Sequence, residues 1–399
     1  MDDYIKTKEL KDGAIHNYIN GNLHSVNKLK GASNDRPGYI YFNESNNKES
    51  YGLFKEKRWY LHGKESREGD KPAITKTIID RAHSYYHESI TNEKTWVKNG
   101  KTHRDGDKPA VINHIVISNE DTRTVILSKK WYRNGKLHRD GDKPAIYKKT
   151  IYYNKDGKIT QTILKKEFWV KGKRHRYNSK PALKDSSMLI KSGNFSIIRN
   201  VKESYYSNGK LHRDGDKPAV NIKSFIQYMN SKHSLTSSSY SYYKHDKLHR
   251  DGDKPAIIEE EINPSGNITF KREIYFKNNL RHRDNNKPAF HIKGTHEETI
   301  GFYNHGALDN VNYPAVIVKL DDRFFFQYHR RGIRISNDVQ DKKFLIKQLL
   351  ENDISLSEAD IENYPYTQIC SILQAVTGKE YSQEVPMEYL EDDDMSDYF

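Results

Sequence analysis

The chain has 399 residues, 35% hydrophobic and 30% charged, with a net charge of +13 and a pI near 9.3. That apolar content is low for a thick globular core, so 28 Tyr, 14 Phe and 4 Trp must supply burial that aliphatic residues give elsewhere. One cysteine, Cys370, excludes an intramolecular disulfide or a cysteine-based metal cluster, and no apolar run approaches the length of a membrane span.

From the N-terminus, Met1-Asp2-Asp3-Tyr4 lacks the form of a signal peptide, so the chain is expected not to be secreted. Residues 1–58 read as a degenerate repeat or cap, with Tyr18-Ile19-Asn20-Gly21-Asn22-Leu23-His24 as a worn copy of the later motif. From 59 to 335 the chain is periodic. Prolines of a Pro-Ala step fall at Pro72, Pro109, Pro144, Pro181, Pro218, Pro255, Pro288 and Pro314, at intervals of 37, 35, 37, 37, 37, 33 and 26 residues. A recurring period of this size marks a repeat architecture.

The best-kept unit, Trp131 to Ile146, reads WYRNGKLHRDGDKPAI, with close copies over 95–111, 205–220 and 242–257. The unit over 168–183 is read as having lost one residue before its turn, which sets Trp169 in line with Trp131. At 59–74 the histidine is replaced by Ser66, at 275–290 Asn285-Asn286 replaces Gly-Asp, and 302–316 is more degraded. Clean central copies and worn outer ones suit an array whose ends face solvent.

Asn99-Gly100, Asn134-Gly135 and Asn208-Gly209 are type I′ hairpin signals, because both turn residues need positive φ. Asp-Gly-Asp is a second kink, and Lys-Pro-Ala opens a strand where the missing proline N–H does least harm. The strand continues over Ile146 to Tyr153, turns at Asn154-Lys155-Asp156-Gly157, and returns over Ile159 to Val170. An odd strand count would invert alternate repeats. His-Arg-Asp-Gly-Asp-Lys-Pro-Ala is therefore read as one strand with an internal bulge, and each repeat as one long hairpin. The predicted fold is an all-β repeat array, an extended twisted antiparallel β-hairpin meander. A closed propeller is the competing architecture, but its blades run to about 40–45 residues, and the shrinking intervals favour an open array.

Residues 336–380 are expected to form a small α-helical module, with helical periodicity over 339–350, a cap-like start at Leu356-Ser357-Glu358-Ala359-Asp360, and a further apolar-periodic stretch over 367–376. Residues 381–399 read as a disordered acidic tail. From Pro386 onward that tail holds Glu388, Glu391, Asp392, Asp393, Asp394 and Asp397 and no base, leaving about +19 on the remainder.

The Trp-Tyr-x-Asn-Gly-Lys core resembles the MORN group of β-hairpin repeats. The longer N-G-K-L-H-R-D-G-D-K-P-A form is similar to repeat proteins of giant, mimivirus-like DNA viruses of amoebae. The resemblance covers about residues 15 to 335 and implies a β-sheet scaffold, located in the host cytoplasm, the virus factory or the virion. The unit departs from the MORN pattern in length and in having Arg139 after His138 where a His-Gly step is usual, so lipid binding does not carry over.

Several chemistries fail on the residues. His-Arg-Asp suggests a kinase catalytic loop, but five residues after Asp140 stands Ala145 rather than a metal-holding Asn, and the triplet recurs at His103, His138, His212, His249 and His282. The pairs Asp105/Asp107, Asp140/Asp142, Asp214/Asp216 and Asp251/Asp253 resemble pieces of calcium loops, yet Arg and Lys flank each one, so a structural turn is the favoured reading. No catalytic residue, metal site or cofactor is expected. His103, His138, His175, His212, His249 and His282 should form a ladder, with Arg139, Lys143 and their equivalents in ladders beside the aspartates. Trp59, Trp96, Trp131, Trp169, Tyr205, Tyr242 and Tyr275 should form an aromatic column, read as buried core ahead of a stacking platform for single-stranded nucleic acid. These ladders are either structural or partner-binding.

The functional expectation is a non-enzymatic protein-binding or assembly scaffold. The alternative is a nucleic-acid or ribonucleoprotein binder using the basic, aromatic-rich array. What separates them is whether lysine and arginine gather on one face or are neutralised beside aspartate.

Overall fold

Two strand-forming segments of eight or nine residues recur in each repeat, rich in β-branched and aromatic residues and closed by a short turn. Ile146–Asn154 pairs with Ile159–Glu167 across the turn at residues 155–158, where Gly157 has φ 74°. Each long strand then pairs, again antiparallel, with the neighbouring repeat: Thr122–Lys130 with Ile146–Asn154, and Ile159–Glu167 with Leu183–Lys191. Two long strands per repeat keep every copy in the same orientation.

The computed structural model describes residues 5–9, 15–19, 22–23, 37–46, 50–82, 87–191, 196–228, 234–310, 314–321, 323–335, 366–377 and 380–382. Expected helices over 339–350 and from Leu356, and the acidic tail, lie outside the described residues. The chain divides into two units, Met1–Lys210 with Ser224–Lys232, and Leu211–Lys223 with His233–Phe399. It is an all-β repeat array, a tandem β-hairpin meander within each unit.

In the first unit, antiparallel pairing runs in sequence order from Tyr39–Asn46 to Ser196–Ser204. Before it, Ile5–Glu9 pairs with Ile15–Ile19. The worn copy at the start keeps the motif's small pairing: Tyr18 opposes Leu23 as Tyr132 opposes Leu137. Most described strand residues are half-buried, with Glu56, Thr150 and a few strand-end residues fully so. Cross-strand pairs, rather than a second layer, hold such a sheet together.

The second unit repeats the scheme with shorter strands. Phe290–Lys293 pairs with Glu297–Gly301, where the first unit uses nine residues against nine. Its shorter strands carry more buried apolar residues, among them Ile257, Ile274, Phe290, Val318 and Phe326. The helix Tyr366–Thr377 buries Ile369 and Leu373, one turn apart on one face. The strand Glu380–Ser382 that follows was not expected; it pairs in parallel with Arg323–Phe325. Among the described residues no helix is long and apolar enough to cross a membrane.

One element differs from its sequence reading. His-Arg-Asp-Gly-Asp-Lys-Pro-Ala is not a bulged strand. Tyr132–Arg133 and Lys136–Leu137 form a hairpin of two residues a side, and residues 138–145 make a loop back to the next long strand. Positive φ at Gly141 (70°) and Asp142 (38°) turns the chain out of the extended region. Arg139 then closes the loop, donating from Nη1 to the carbonyl of Pro144 at 3.1 Å. The returning strand accordingly stops at Glu167, and Trp169–Val170 belongs to the next small hairpin.

Candidate functional site: a laddered margin and its clefts

The motifs of each unit line one margin of its sheet, and their spacing follows from backbone geometry. Both central residues of every small turn have positive φ: Asn99 and Gly100 (52° and 76°), Asn134 and Gly135 (51° and 79°), Asn208 and Gly209 (50° and 91°). Type I′ geometry requires this, and asparagine and glycine meet it at least cost. His245-Asp246, Asn278-Asn279 and Arg331-Gly332 adopt the same signs. The second turn residue donates its N–H to the preceding motif, Gly135 to Thr102 at 2.9 Å and Gly172 to Leu137 at 2.9 Å.

Beneath the turns lies a buried column. Trp59, Trp96, Trp131, Phe168, Tyr242, Tyr275 and Phe302 each donate a backbone N–H to the alanine of their own Pro-Ala step at 2.8 Å. Those alanines, from Ala73 to Ala315, are fully buried. Trp169 is therefore not in the column. The unit over 168–183 has lost no residue, and Phe168 takes the place of Trp131. Trp169 stands one position on, its Nε1 donating to Glu167 at 3.0 Å. Tyr205 is buried, as are Trp59, Trp96, Trp131, Phe168 and Tyr275, while Tyr242 and Phe302 are half-buried.

An arginine covers six of these rings, those of Trp59, Trp96, Trp131, Phe168, Tyr242 and Tyr275. The guanidinium carbon sits 3.7 Å from the ring centroid at Arg104/Trp96, Arg176/Phe168 and Arg250/Tyr242, and 3.8 Å at Arg139/Trp131. Nε1 of Trp59, Trp96 and Trp131 is buried without a hydrogen-bond partner, so those rings are held by packing and cation–π stacking. Phe168 and Tyr242 can therefore stand in for tryptophan. Most of the column is buried under these arginines.

The same arginines tie successive motifs together. Arg139 reaches back to Asp107 with Nε at 2.6 Å and Nη2 at 3.1 Å, and Lys143 joins at 2.7 Å. The step repeats as Arg104 and Lys108 on Asp70, Arg176 and Lys180 on Asp142, Arg250 and Lys254 on Asp216, and Arg283 and Lys287 on Asp253. Hydrogen bonds from the arginine, then from the lysine, lower the Asp107 and Asp216 carboxyls to about 2. At the last step both charges are gone, yet the connections persist: Asn286 donates to Asn310 at 3.1 Å, and Asn310 donates to the Pro314 carbonyl at 3.1 Å.

His103, His138, His249 and His282 use both ring nitrogens. Nε2 of His103, His138, His212 and His249 lies 2.9 Å from the first aspartate of its own Asp-Gly-Asp, and His282 is 2.8 Å from Asp284. Nδ1 accepts a backbone N–H from the next turn, Asn134 to His103 at 3.1 Å and Lys171 to His138 at 3.3 Å. His175 likewise accepts from Asn208 at 3.3 Å, with Tyr177 edge-on to its ring where an aspartate stands elsewhere. His212 instead stacks on His245 at 4.2 Å. A histidine with both nitrogens engaged is poorly placed to act as a general base.

Between consecutive loops the margin opens into clefts. One of about 410 Å³ lies between the loops of Arg104 and Arg139, one of about 530 Å³ between those of Arg139 and Arg176. The second unit has one of about 380 Å³ between the loops of Arg250 and Arg283, and one of about 440 Å³ beside Arg283 and Phe302. Asp140 and Tyr177, lining the 530 Å³ cleft, are 69% (side chain) and 64% exposed. Among the described residues, no three or more His, Cys, Asp or Glu side chains are grouped to hold a metal ion. Protein-family models, curated proteins and solved structures contain no match to this chain.

Proposed function

We propose that the chain is a non-enzymatic scaffold that holds a protein partner along the clefts of its motif margin. The observation that carries this reading is the recurrence of one cleft, with one side-chain set, at successive repeats. Catalysis calls for one differentiated site. A row of equivalent sites suits a partner that is extended or itself repetitive. Charge at the margin is matched at five steps, because Arg104, Arg139, Arg176, Arg250 and Arg283 are each spent on an aspartate, a ring and a carbonyl. The cleft mouths thus offer polar and aromatic contacts rather than a field for phosphate. The motif's likeness to MORN-type repeats and to giant-virus repeat proteins supports a viral scaffold working in the host cytoplasm, virus factory or virion.

The test is affinity recovery from the native cell with nuclease present, comparing wild type with Arg133→Glu/Tyr177→Glu, two exposed positions of the cleft between the loops of Arg139 and Arg176. Recovery of one or two defined proteins, lost in the variant, is expected. Recovery that collapses with nuclease, or is indifferent to the cleft substitutions, would sink the reading.

A further inference from the structure

The two faces of the first unit's sheet carry different charge. Side chains alternate faces along a strand, and the antiparallel register assigns every strand residue from Tyr39 to Ser204 to one face or the other. With Lys191 at the strand end set aside, the face bearing Thr150 has six bases against five acids. The face bearing Tyr147 has ten bases against three acids, Glu44, Glu88 and Glu203. Two of those acids are already taken, since Glu88 pairs with Arg81 and Glu203 holds Lys184 at 2.7 Å.

The excess is ordered. Two residues before the column aromatic, four successive repeats place Lys57, Lys94, Lys129 and Lys166 in one cross-strand row. They sit on every second strand, hence about 9–10 Å apart. None is buried, and none has an acidic partner among the described residues. Lys184 extends the row directly opposite Lys166, a like-charge pairing that cross-strand energetics disfavour. Half-exposed Tyr147 lies in the row between Lys129 and Lys166. In later repeats the position holds Glu203, Tyr240, Glu273 and Ile300, so the row is confined to the first unit.

We propose that this lysine-bearing face of the first unit binds single-stranded nucleic acid, lysines on the phosphates and Tyr147 against a base. A line of evenly spaced, unneutralised cations complements a linear polyanion with evenly spaced charges. Aromatic side chains interleaved with bases are the features by which proteins hold single strands without reading sequence. The margin's arginines take no part, and the surface is distinct from the protein-binding clefts.

The experiment uses the full chain and a fluorescent oligothymidylate of about 30 nucleotides, long enough to span the row, titrated by anisotropy over a range of KCl. Two variants of equal charge change are compared: K57Q/K94Q/K129Q/K166Q on the proposed face, and K76Q/K130Q/K148Q/K202Q on the other. For single strands each phosphate contact adds about 0.7 to the salt slope, so the first set should lower it by up to about 3 and the second by far less. Tyr147→Leu should weaken binding by at least about five-fold, with little change in slope. Unchanged circular dichroism of each variant ties the effect to the surface. Equal losses in both quadruple variants would reduce the effect to bulk charge and overturn the proposal. So would absence of oligonucleotide binding by the wild type, or binding dependent on the four lysines to phosphatidylserine vesicles alone.

Discussion

The motif margin and the long strands of the same sheet follow opposite rules. At the margin residue identity recurs and distances repeat: the guanidinium lies 3.7 to 3.9 Å above the ring over six motifs whose ring is Trp, Phe or Tyr. Along the strands almost nothing recurs but length and β propensity, as Ile146–Asn154 (IYKKTIYYN) and Leu183–Lys191 (LKDSSMLIK) show. Even length is relaxed in the second unit, where the period shrinks by shortening strands while the motif over 275–290 keeps its full sixteen residues. Specificity of register therefore resides in the margin, and the strand faces are left free to vary.

That contrast can be broken from its strongest side first. Trp131→Ala removes a buried ring and the stacking of Arg139 on it and should cost about 3–5 kcal/mol by chemical denaturation, whereas Trp131→Phe should be far milder because Phe168 already serves that place. Ala145→Leu, at a site with no accessible surface, should cost about 1–3 kcal/mol through overpacking, read as a lower thermal midpoint. Acid should weaken the margin as a whole. Asp107 and Asp216 have folded pKa values depressed to about 2, so the stability they give is present above the ordinary carboxyl range and is lost as pH falls from about 4 towards 2. Hydrogen exchange at the turn amides across that window should show the margin opening first; strands that open earlier would contradict it. Asp107→Asn alone removes one exposed ion-pair step and should cost up to about 1 kcal/mol, less in high salt. Val201→Thr, exposed on a strand, should stay within about 0.5 kcal/mol; a larger loss would show that the strand faces are not free.

Local demands were the legible ones. Asn134-Gly135 announces its turn because few residues accept positive φ twice in succession, and the alternation over Ile146–Asn154 announces a strand. His245-Asp246 and Asn278-Asn279 meet the same backbone demand without glycine, so their signal is faint. The loop at 138–145 reads as a strand in the sequence because what closes it is not local. The Arg139 side chain must first find Trp131, Pro144 and Asp107, the last in the preceding repeat. Residue type alone points to Trp169 for the column, whereas matching Gly172 to Gly135 places Phe168 there. The charge difference between the faces of the first unit was hidden for a related reason. It depends on register across strands up to 37 residues apart in sequence, and net charge averages it away.

The ladder has a direction. Each repeat holds out acceptors to its successor, a carboxylate, an imidazole nitrogen and a backbone carbonyl, and receives its predecessor's with a guanidinium, an ammonium and a turn amide. A segment of 37 residues copied whole carries one full set of each. Duplication or loss of such a segment therefore lengthens or shortens the array without a new interface to be invented, and the uncharged Asn286–Asn310 pair can terminate a series of any length.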